Sequence, residues 1–354
     1  MDFRKRIKTV PRANLYTEEG YYIWCGTMFR FMDAYYMIYS RWEKEKGFSA
    51  WVSDSKVCLA RSETAEGRFR HVKTLFDYAG NTPEERRVIH NPAAIVVRGR
   101  VYLYFMMNYG CGDFWEHRNR QRIGAAFTDD PEGEWTCLPN PVIDITPGGI
   151  DSLMTSNPTV TEMPDGRFLM LYKAVSADGE LPRGGSVIIG AATAESPLGP
   201  FRKYGKPQFV NPGDPWSVED PFVWVEDGRF YALVKDYHGY FTGVTTAWSG
   251  STALFVSENG LDWHPDLDHP LAYTNELEFD DGPVSFSSLE RPQIYLENGK
   301  PRFLLCACRF RKDDDTTYNL KIPLEWQTGH DGPPLHLLDA GQARLPASFR
   351  PVSH

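Results

Sequence analysis

The chain reads as an all-β protein, a five-bladed β-propeller of four-stranded antiparallel blades. Three observations lead there. A pattern of polar pair, proline, short apolar run, Gly turn and second apolar run recurs along the chain. Its turn positions, Ala34, Gly99, Gly166, Gly228 and Gly299, are 65, 67, 62 and 71 residues apart. Helical periodicity is weak throughout, while each repeat holds three or four strand-like runs divided by Gly, Pro and Asp. A strand unit of this size cannot bury both of its faces alone. It must stack on its neighbours, and five such sheets arranged radially make a closed ring.

The first repeat, about 21–85, carries "WCGTMFRFMDAYYMIYS" (24–40), with Asp33-Ala34 in place of an Asp-Gly turn. The second, about 86–150, carries "HNPAAIVVRGRVYLYFM" (90–106), and the third, about 151–212, "SNPTVTEMPDGRFLMLYK" (156–173). The fourth, about 213–280, carries "EDPFVWVEDGRFYALVK" (219–235), and the fifth, about 281–345, "ERPQIYLENGKPRFLLC" (290–306). A second signature, a small-residue strand, a Gly turn and an aromatic, follows each of the first four copies. Its glycines are Gly67, Gly133, Gly199 and Gly260. The fifth repeat lacks that signature, so a strand from one of the two tails is expected to complete it. A single propeller domain spanning 1–354 follows.

Composition narrows the function classes. Aromatic residues make up 14% of the chain, with 10 Trp and 18 Tyr. Their flat faces and polar edges suit sugar rings and suit all-β cores equally well. A net charge of −9 argues against a nucleic-acid surface. The six cysteines form no CxxC pair and no zinc-finger spacing, and are expected to be free thiols in a reducing compartment. The N-terminus has basic residues without an apolar stretch behind them, and no run of ~18 apolar residues occurs. A cytoplasmic protein with a small carbohydrate partner, and with neither nucleic acid nor membrane, is the expectation. The oligomeric state is not legible.

The candidate site comes from the polar pairs. The innermost strand of a propeller blade lines the axis. The proline is expected to begin that strand, where its missing N–H costs little. The pairs before it then converge on one mouth of the axis. They are Trp24-Cys25 (before Gly26), His90-Asn91, Ser156-Asn157, Glu219-Asp220 and Glu290-Arg291. Asp or Asn before Pro is also an ordinary turn starter. Carboxylates, a His, an Arg and two Asn at equivalent positions exceed what turns require, and a concave site with convergent polar groups is the default active site. Arg41 and Trp42, which end a strand in "YSRW" (39–42), and Lys173, which ends the matching strand of the third repeat, are further candidates for a sugar or an anionic group.

These blade starts resemble those of the five-bladed propeller glycoside hydrolases of families 43, 62 and 117. The strings "HNP", "TSNP", "VEDPFVW" and "LERPQIYLENGKP" look most like family-43/117-type members, over about residues 20–310. The resemblance implies inverting hydrolysis of the terminal sugar of a short oligosaccharide or glycoside by three carboxyl groups. The family's acid is a Glu two residues before a blade-start proline, a place that Glu219 and Glu290 both hold. Its tuning Asp stands directly before the proline, as Asp220 does. Glu290 is preferred as the acid, and strand alternation is expected to turn Glu219 between blades. The family's base is an Asp at the start of the first blade, where this chain has "IWCGT". Asp151, in "GGIDSLMTSNP", is the substitute, and His90 the second choice.

The expected catalytic residues are therefore Asp151, Asp220 and Glu290. The expected substrate-binding residues are Trp24, Arg41, Trp42, His90, Asn91, Ser156, Asn157, Lys173, Glu219 and Arg291. No cofactor is required; a structural divalent ion on the propeller axis, as some relatives carry, stays open. Two alternatives also stay open. One is a glycoside phosphorylase with Arg291, His90, Lys173 and Arg41 around the phosphate. The other is a propeller that only binds sugar. Sugar identity, linkage and anomeric configuration are not legible.

Overall fold

The computed structural model describes residues 1–76, 88–110, 112–213, 218–244 and 250–325. Five antiparallel sheets make the five blades, four of them each from one stretch of chain. Blade one is built from Tyr21–Phe31, Ala34–Glu43, Lys56–Ser62 and Arg70–Thr74. Blade two uses Val88–Val97, Arg100–Asn108, Gln121–Thr128 and Thr136–Cys137. Blade three uses Met154–Glu162, Phe168–Val175, Val187–Ala194 and Arg202–Lys203. Blade four uses Val218–Glu226, Arg229–Asp236, Ser251–Ser257 and His264–Pro265, with Leu271–Tyr273 added beside the third strand. Blade five uses Ser288–Glu297, Lys300–Arg309 and Tyr318–Pro323. The first strand of each blade packs beside the first strand of the next, and the fifth returns to the first. Among the described residues no helix is long and apolar enough to cross a membrane.

The N-terminal tail supplies the missing strand. Leu15–Tyr16 pairs antiparallel with Tyr318–Pro323, the third strand of blade five, placing Leu15 opposite Leu320 and Tyr16 opposite Asn319. This strand fills the fourth position of blade five and ties the N-terminal tail to the last blade. The tail is held further by Phe3, which is fully buried against Trp224 with ring centroids 6.1 Å apart. Arg6 pairs with Glu226 at 3.0 Å.

The core is divided among the blade interfaces. One apolar cluster joins blades one and two through Ile38, Leu59, Leu103 and Phe105. Others join blades two and three through Tyr104 and Met170, and three and four through Leu171 and Phe255. The largest joins blades four and five and takes in Phe3 and Val10. The last joins five to one through Phe303 and Tyr39. Each sheet thus buries both faces only by stacking, as the repeat requires.

The inner hairpins turn tightly. Arg98-Gly99, Asp227-Gly228 and Asn298-Gly299 each have two successive positive φ angles, which suits two-residue hairpins. In blade one Phe31 faces Ala34, so the turn is Met32-Asp33, one residue earlier than the sequence pattern places it.

The prolines are the main correction to the strand reading. Pro92, Pro158, Pro221 and Pro292 lie inside the inner strands, not at their starts. In every blade the register with the second strand shifts across this point: Trp24/Thr27, His90/Ala93, Ser156/Thr159, Glu219/Phe222 and Glu290/Gln293. Each shift is a bulge, which leaves residues out of the ladder. Proline is accepted there because no ladder partner waits for its N–H.

Phe3→Ala tests the closure. Its full burial predicts a loss of roughly 3–5 kcal/mol by urea unfolding. Met32→Ala, at a site 77% exposed, should leave the midpoint unchanged.

Candidate active site

At each bulge one residue adopts a left-handed backbone. The five are Cys25 (φ 55°), Asn91 (53°), Asn157 (48°), Asp220 (53°) and Arg291 (55°). This conformation costs a non-glycine L-residue on the order of 1–2 kcal/mol, least for Asn and Asp. Three of the five are Asn or Asp, which partly explains the residue types.

The five side chains meet on the axis. The Cys25 thiol donates to Asn91 Oδ1 at 2.7 Å, and Asn91 Nδ2 donates to Asn157 Oδ1 at 2.5 Å. Asn157 Nδ2 donates to Asp220 Oδ1 at 2.8 Å. Arg291 Nη1 donates to the same oxygen at 3.1 Å, and the Arg291 backbone N–H reaches Asp220 Oδ2 at 3.3 Å. The Arg291 charge also acts on the Cys25 thiol, bringing the last residue of the series back to the first. One residue per blade, all five buried, therefore forms a continuous polar girdle. Burial pushes the Cys25 thiol well up, and pushes the Asp220 carboxyl up against the pull of Arg291.

The residue before each left-handed position faces a pocket above the girdle in four of the five blades. This cavity of about 190 Å³ is lined by Trp24, Trp42, His90, Asn91, Asn157, Lys173, Glu219, Asp220, Glu290 and Arg291, with Phe48, Trp51, Gln121 and Tyr237. Ten of the thirteen sequence-derived site residues are thus brought together. The left-handed bulge explains why both members of three pairs, His90-Asn91, Glu219-Asp220 and Glu290-Arg291, share it. Alternation holds along a regular strand, and the bulge breaks it. Glu219 is accordingly not turned between blades. It lines the same pocket as Asp220 and is ion-paired with Lys173 of blade three.

Three residues are elsewhere. Asp151 is buried between blades, paired with Lys203 at 2.6 Å and accepting from Tyr172 Oη at 3.1 Å and Thr146 N at 3.2 Å. It is not a lining residue of the pocket, because its loop enters blade three beside the outer strand. Arg41 pairs with Glu18 at 2.5 Å and lies 4.2 Å over the Tyr21 ring. The strand period puts it on the opposite face from Trp42. Ser156 stands behind the girdle, donating to Asn157 Oδ1 at 2.8 Å.

The pocket's electrostatics separate its groups. Burial and the charge of Asp220 push the Glu290 carboxyl up to about 7, with Lys235 opposing. Among the described residues no hydrogen bond reaches the Glu290 carboxyl, while its backbone lies in the ladder opposite Ala307. Burial, with Arg291 adding to it, pushes His90 down to about 3, so the imidazole is neutral. Its Nδ1 meets Ser55 Oγ at 2.8 Å, and its ring sits 5.1 Å from Trp51 and 5.5 Å from Trp42.

Phe48, Trp51, Gln121 and Tyr237 were not singled out in the sequence. Phe48 and Trp51 come from the connection between the second and third strands of blade one, and Tyr237 follows the second strand of blade four. Gln121 opens the third strand of blade two. For the three aromatics only residue type outside the repeated strands could have marked them. Cys111 lies outside the described residues; Cys25, Cys58, Cys306 and Cys308 are free thiols.

Past the bulges the axial cavity is lined by Thr27, Ala93, Thr159, Phe222 and Gln293, with Glu162 and Glu297 also on its wall. Among the described residues no group of three or more His, Cys, Asp or Glu could hold a metal.

Comparison with known proteins bears on the fold. No protein-family model and no curated protein matches the sequence. Solved structures do match. A family 117 glycoside hydrolase of the marine bacterium Zobellia galactanivorans is 16% identical, with TM-score 0.57 over 90% of this chain and 89% of that one. The Bacillus subtilis arabinanase Arb43A is 15% identical, with TM-score 0.58 over 90% and 98%. A thermostable family-43 glycoside hydrolase is 14% identical, with TM-score 0.58 over 90% and 96%. At these identities the likeness is one of fold.

Two substitutions test the geometry. Asp151→Ala removes one partner of an interior ion pair and should cost roughly 3 kcal/mol in urea unfolding. Asn157→Ala breaks the girdle beside Asp220 and places Ala in a left-handed conformation. The expected loss is roughly 2–4 kcal/mol. A change below ~1 kcal/mol in Asn157→Ala would show that the girdle does not hold the site together.

Proposed function

We propose that this protein is a glycoside hydrolase acting on a terminal sugar in the axial pocket, with Glu290 as the general acid. The observation that carries this reading is the convergence of Glu219, Asp220 and Glu290 in one aromatic-walled cavity, with one of them held protonated near neutrality. A leaving-group oxygen needs a proton from a carboxyl that still holds it at working pH, and Glu290 meets that need. Asp220, fixed by Arg291 and Asn157, raises the proton affinity of Glu290 through its charge. Trp24, Trp42 and Trp51 offer faces for a sugar ring, and the small volume suits one ring better than a chain. The shared fold of the arabinanase and the family-43 and family-117 hydrolases supports the same reading.

The base is reassigned. Asp151 is engaged with Lys203 away from the pocket. His90 is a weak proton acceptor, since burial disfavours its charged form. That leaves Glu219, which lines the pocket beside Lys173. We assign it to activate the attacking water. Inversion requires the two carboxyl groups to stand about 6.5–9.5 Å apart, with sugar and water between them. Of the cations considered for a phosphate cradle, Arg41 is remote and Lys173 is paired to Glu219, which makes phosphorolysis the weaker reading.

The test is kinetic. Activity should be screened on aryl glycosides and oligosaccharides, with and without inorganic phosphate. Glu290→Gln should slow substrates with poor leaving groups at least ~100-fold, and those with activated aryl groups far less. The acid must be protonated, so kcat/KM in the native enzyme should fall as pH rises through about 7, and Glu290→Gln should abolish that limb. Equal losses on both substrate types, or an unchanged alkaline limb, would remove Glu290 from the role.

A further inference from the structure

The charges around the pocket do not balance. Lys173 is paired with Glu219 and Arg291 with Asp220. Further cations stand close by with no carboxylate partner among the described residues. Arg309, at the end of the second strand of blade five, lies 4.3 Å over the ring of Phe48, which walls the pocket. Its Nε is buried without a hydrogen-bond partner among the described residues, and its charge acts on Glu290. Arg118, on the short helix Phe114–Asn119, is 6% exposed and donates to Arg183 O and Asn119 Oδ1, both at 2.8 Å. Its charge reaches Glu219. Lys235 is fully buried and donates to Asn275 Oδ1 at 3.1 Å and Leu289 O at 3.0 Å, both neutral.

Buried donors point the same way. Among the described residues Nε and Nη2 of Arg291 and Nε2 of Gln121 find no hydrogen-bond partner, and both residues line the pocket. Gln121 is 2% exposed and Arg291 3%. A buried guanidinium with unmet N–H groups is costly unless a ligand supplies acceptors. The chain as a whole carries −9, so a local surplus of positive charge is not a reflection of its composition.

We infer that the sugar bound in this pocket carries a carboxylate, as a uronosyl residue does, with Arg309 and Arg118 supplying the uncompensated charge that selects it. The inference rests on the glycosidase reading and narrows its substrate class. A planar carboxylate suits the guanidinium of Arg291, which lines the cavity and can bind it in two-pronged fashion, while Arg309 and Arg118, which do not line it, act through their charge. Neutral pentoses and hexoses would leave the surplus charge without a counter-ion in a largely desolvated cavity.

Isothermal titration calorimetry on the full chain separates the cases. The probes are glucuronate and galacturonate, their neutral parents glucose and galactose, arabinose, xylose, and inorganic phosphate. A uronate should bind at least ~10-fold more tightly than its neutral parent, the gain of one charge-assisted contact. Arg309→Gln and Arg118→Gln should erase most of that preference while leaving neutral-sugar affinity unchanged, which also reports that the variants fold. Arg309→Lys should retain part of it. Equal affinity for uronate and parent overturns the inference and leaves the glycosidase reading standing. Phosphate binding that competes with uronate and matches its strength overturns it in favour of phosphorolysis. Failure of every sugar to bind overturns both the inference and the reading beneath it.

Discussion

The structure depends on the girdle of left-handed residues at the axis. Five blades must meet where their inner strands converge, and at that point each chain departs from regular β geometry. Cys25, Asn91, Asn157, Asp220 and Arg291 take the same unfavourable φ, one per blade. Strain of this kind persists only where the surroundings over-determine it, and such residues cluster at functional sites. Here the surroundings are the five side chains themselves. They run thiol to amide, amide to amide, amide to carboxylate and guanidinium to carboxylate without a break. The bulge and the hydrogen bonds support each other: the backbone aims the side chain inward, and the ring of bonds holds the backbone.

The chemistry follows from that constraint. Because the bulge cancels strand alternation, both residues of the pair reach the cavity in three blades, at His90-Asn91, Glu219-Asp220 and Glu290-Arg291. Asp220 is consumed by the girdle, which fixes its charge beneath the pocket. Glu290 and Glu219 sit one residue earlier in their blades and remain at the cavity. In the proposed mechanism, the division of labour among the three carboxyl groups follows backbone position: the one locked in the ring tunes, and the two before the bulge exchange protons. Arg291 serves both levels, neutralising Asp220 below and depressing His90 at the pocket wall.

Much of this was legible in the sequence, for physical reasons. The five-fold period showed because each inner hairpin needs the same punctuation: a polar pair, a proline, a Gly or Asn turn. The convergence of the pairs followed from the period alone. What failed was local. Proline was read as a strand start because a mid-strand proline is normally excluded, and nothing in "EDPF" distinguishes a start from a bulge. From that error came the misplacement of Glu219, since alternation was applied across a residue that breaks it. Asp151 and Arg41 were chosen by residue type near the repeat, and each had a partner distant in sequence, Lys203 and Glu18. Phe48, Trp51 and Tyr237 come from connections between strands, where the period carries no information, and Gln121 stands at a strand end that the repeat does not mark. The closing strand was foreseen, but which tail provides it was decided by Leu15–Tyr16 against Leu320 and Asn319.

The central claim is that the girdle and its burial hold one carboxyl of the pocket protonated near neutrality. Titration of the side-chain carboxyl carbons by NMR, with Glu290→Gln supplying the assignment, measures it directly. The account predicts a glutamate midpoint at about 7 that disappears in the variant. A Glu290 midpoint at the ordinary value near ~4.3 would contradict it, because the pocket would then hold no proton to donate.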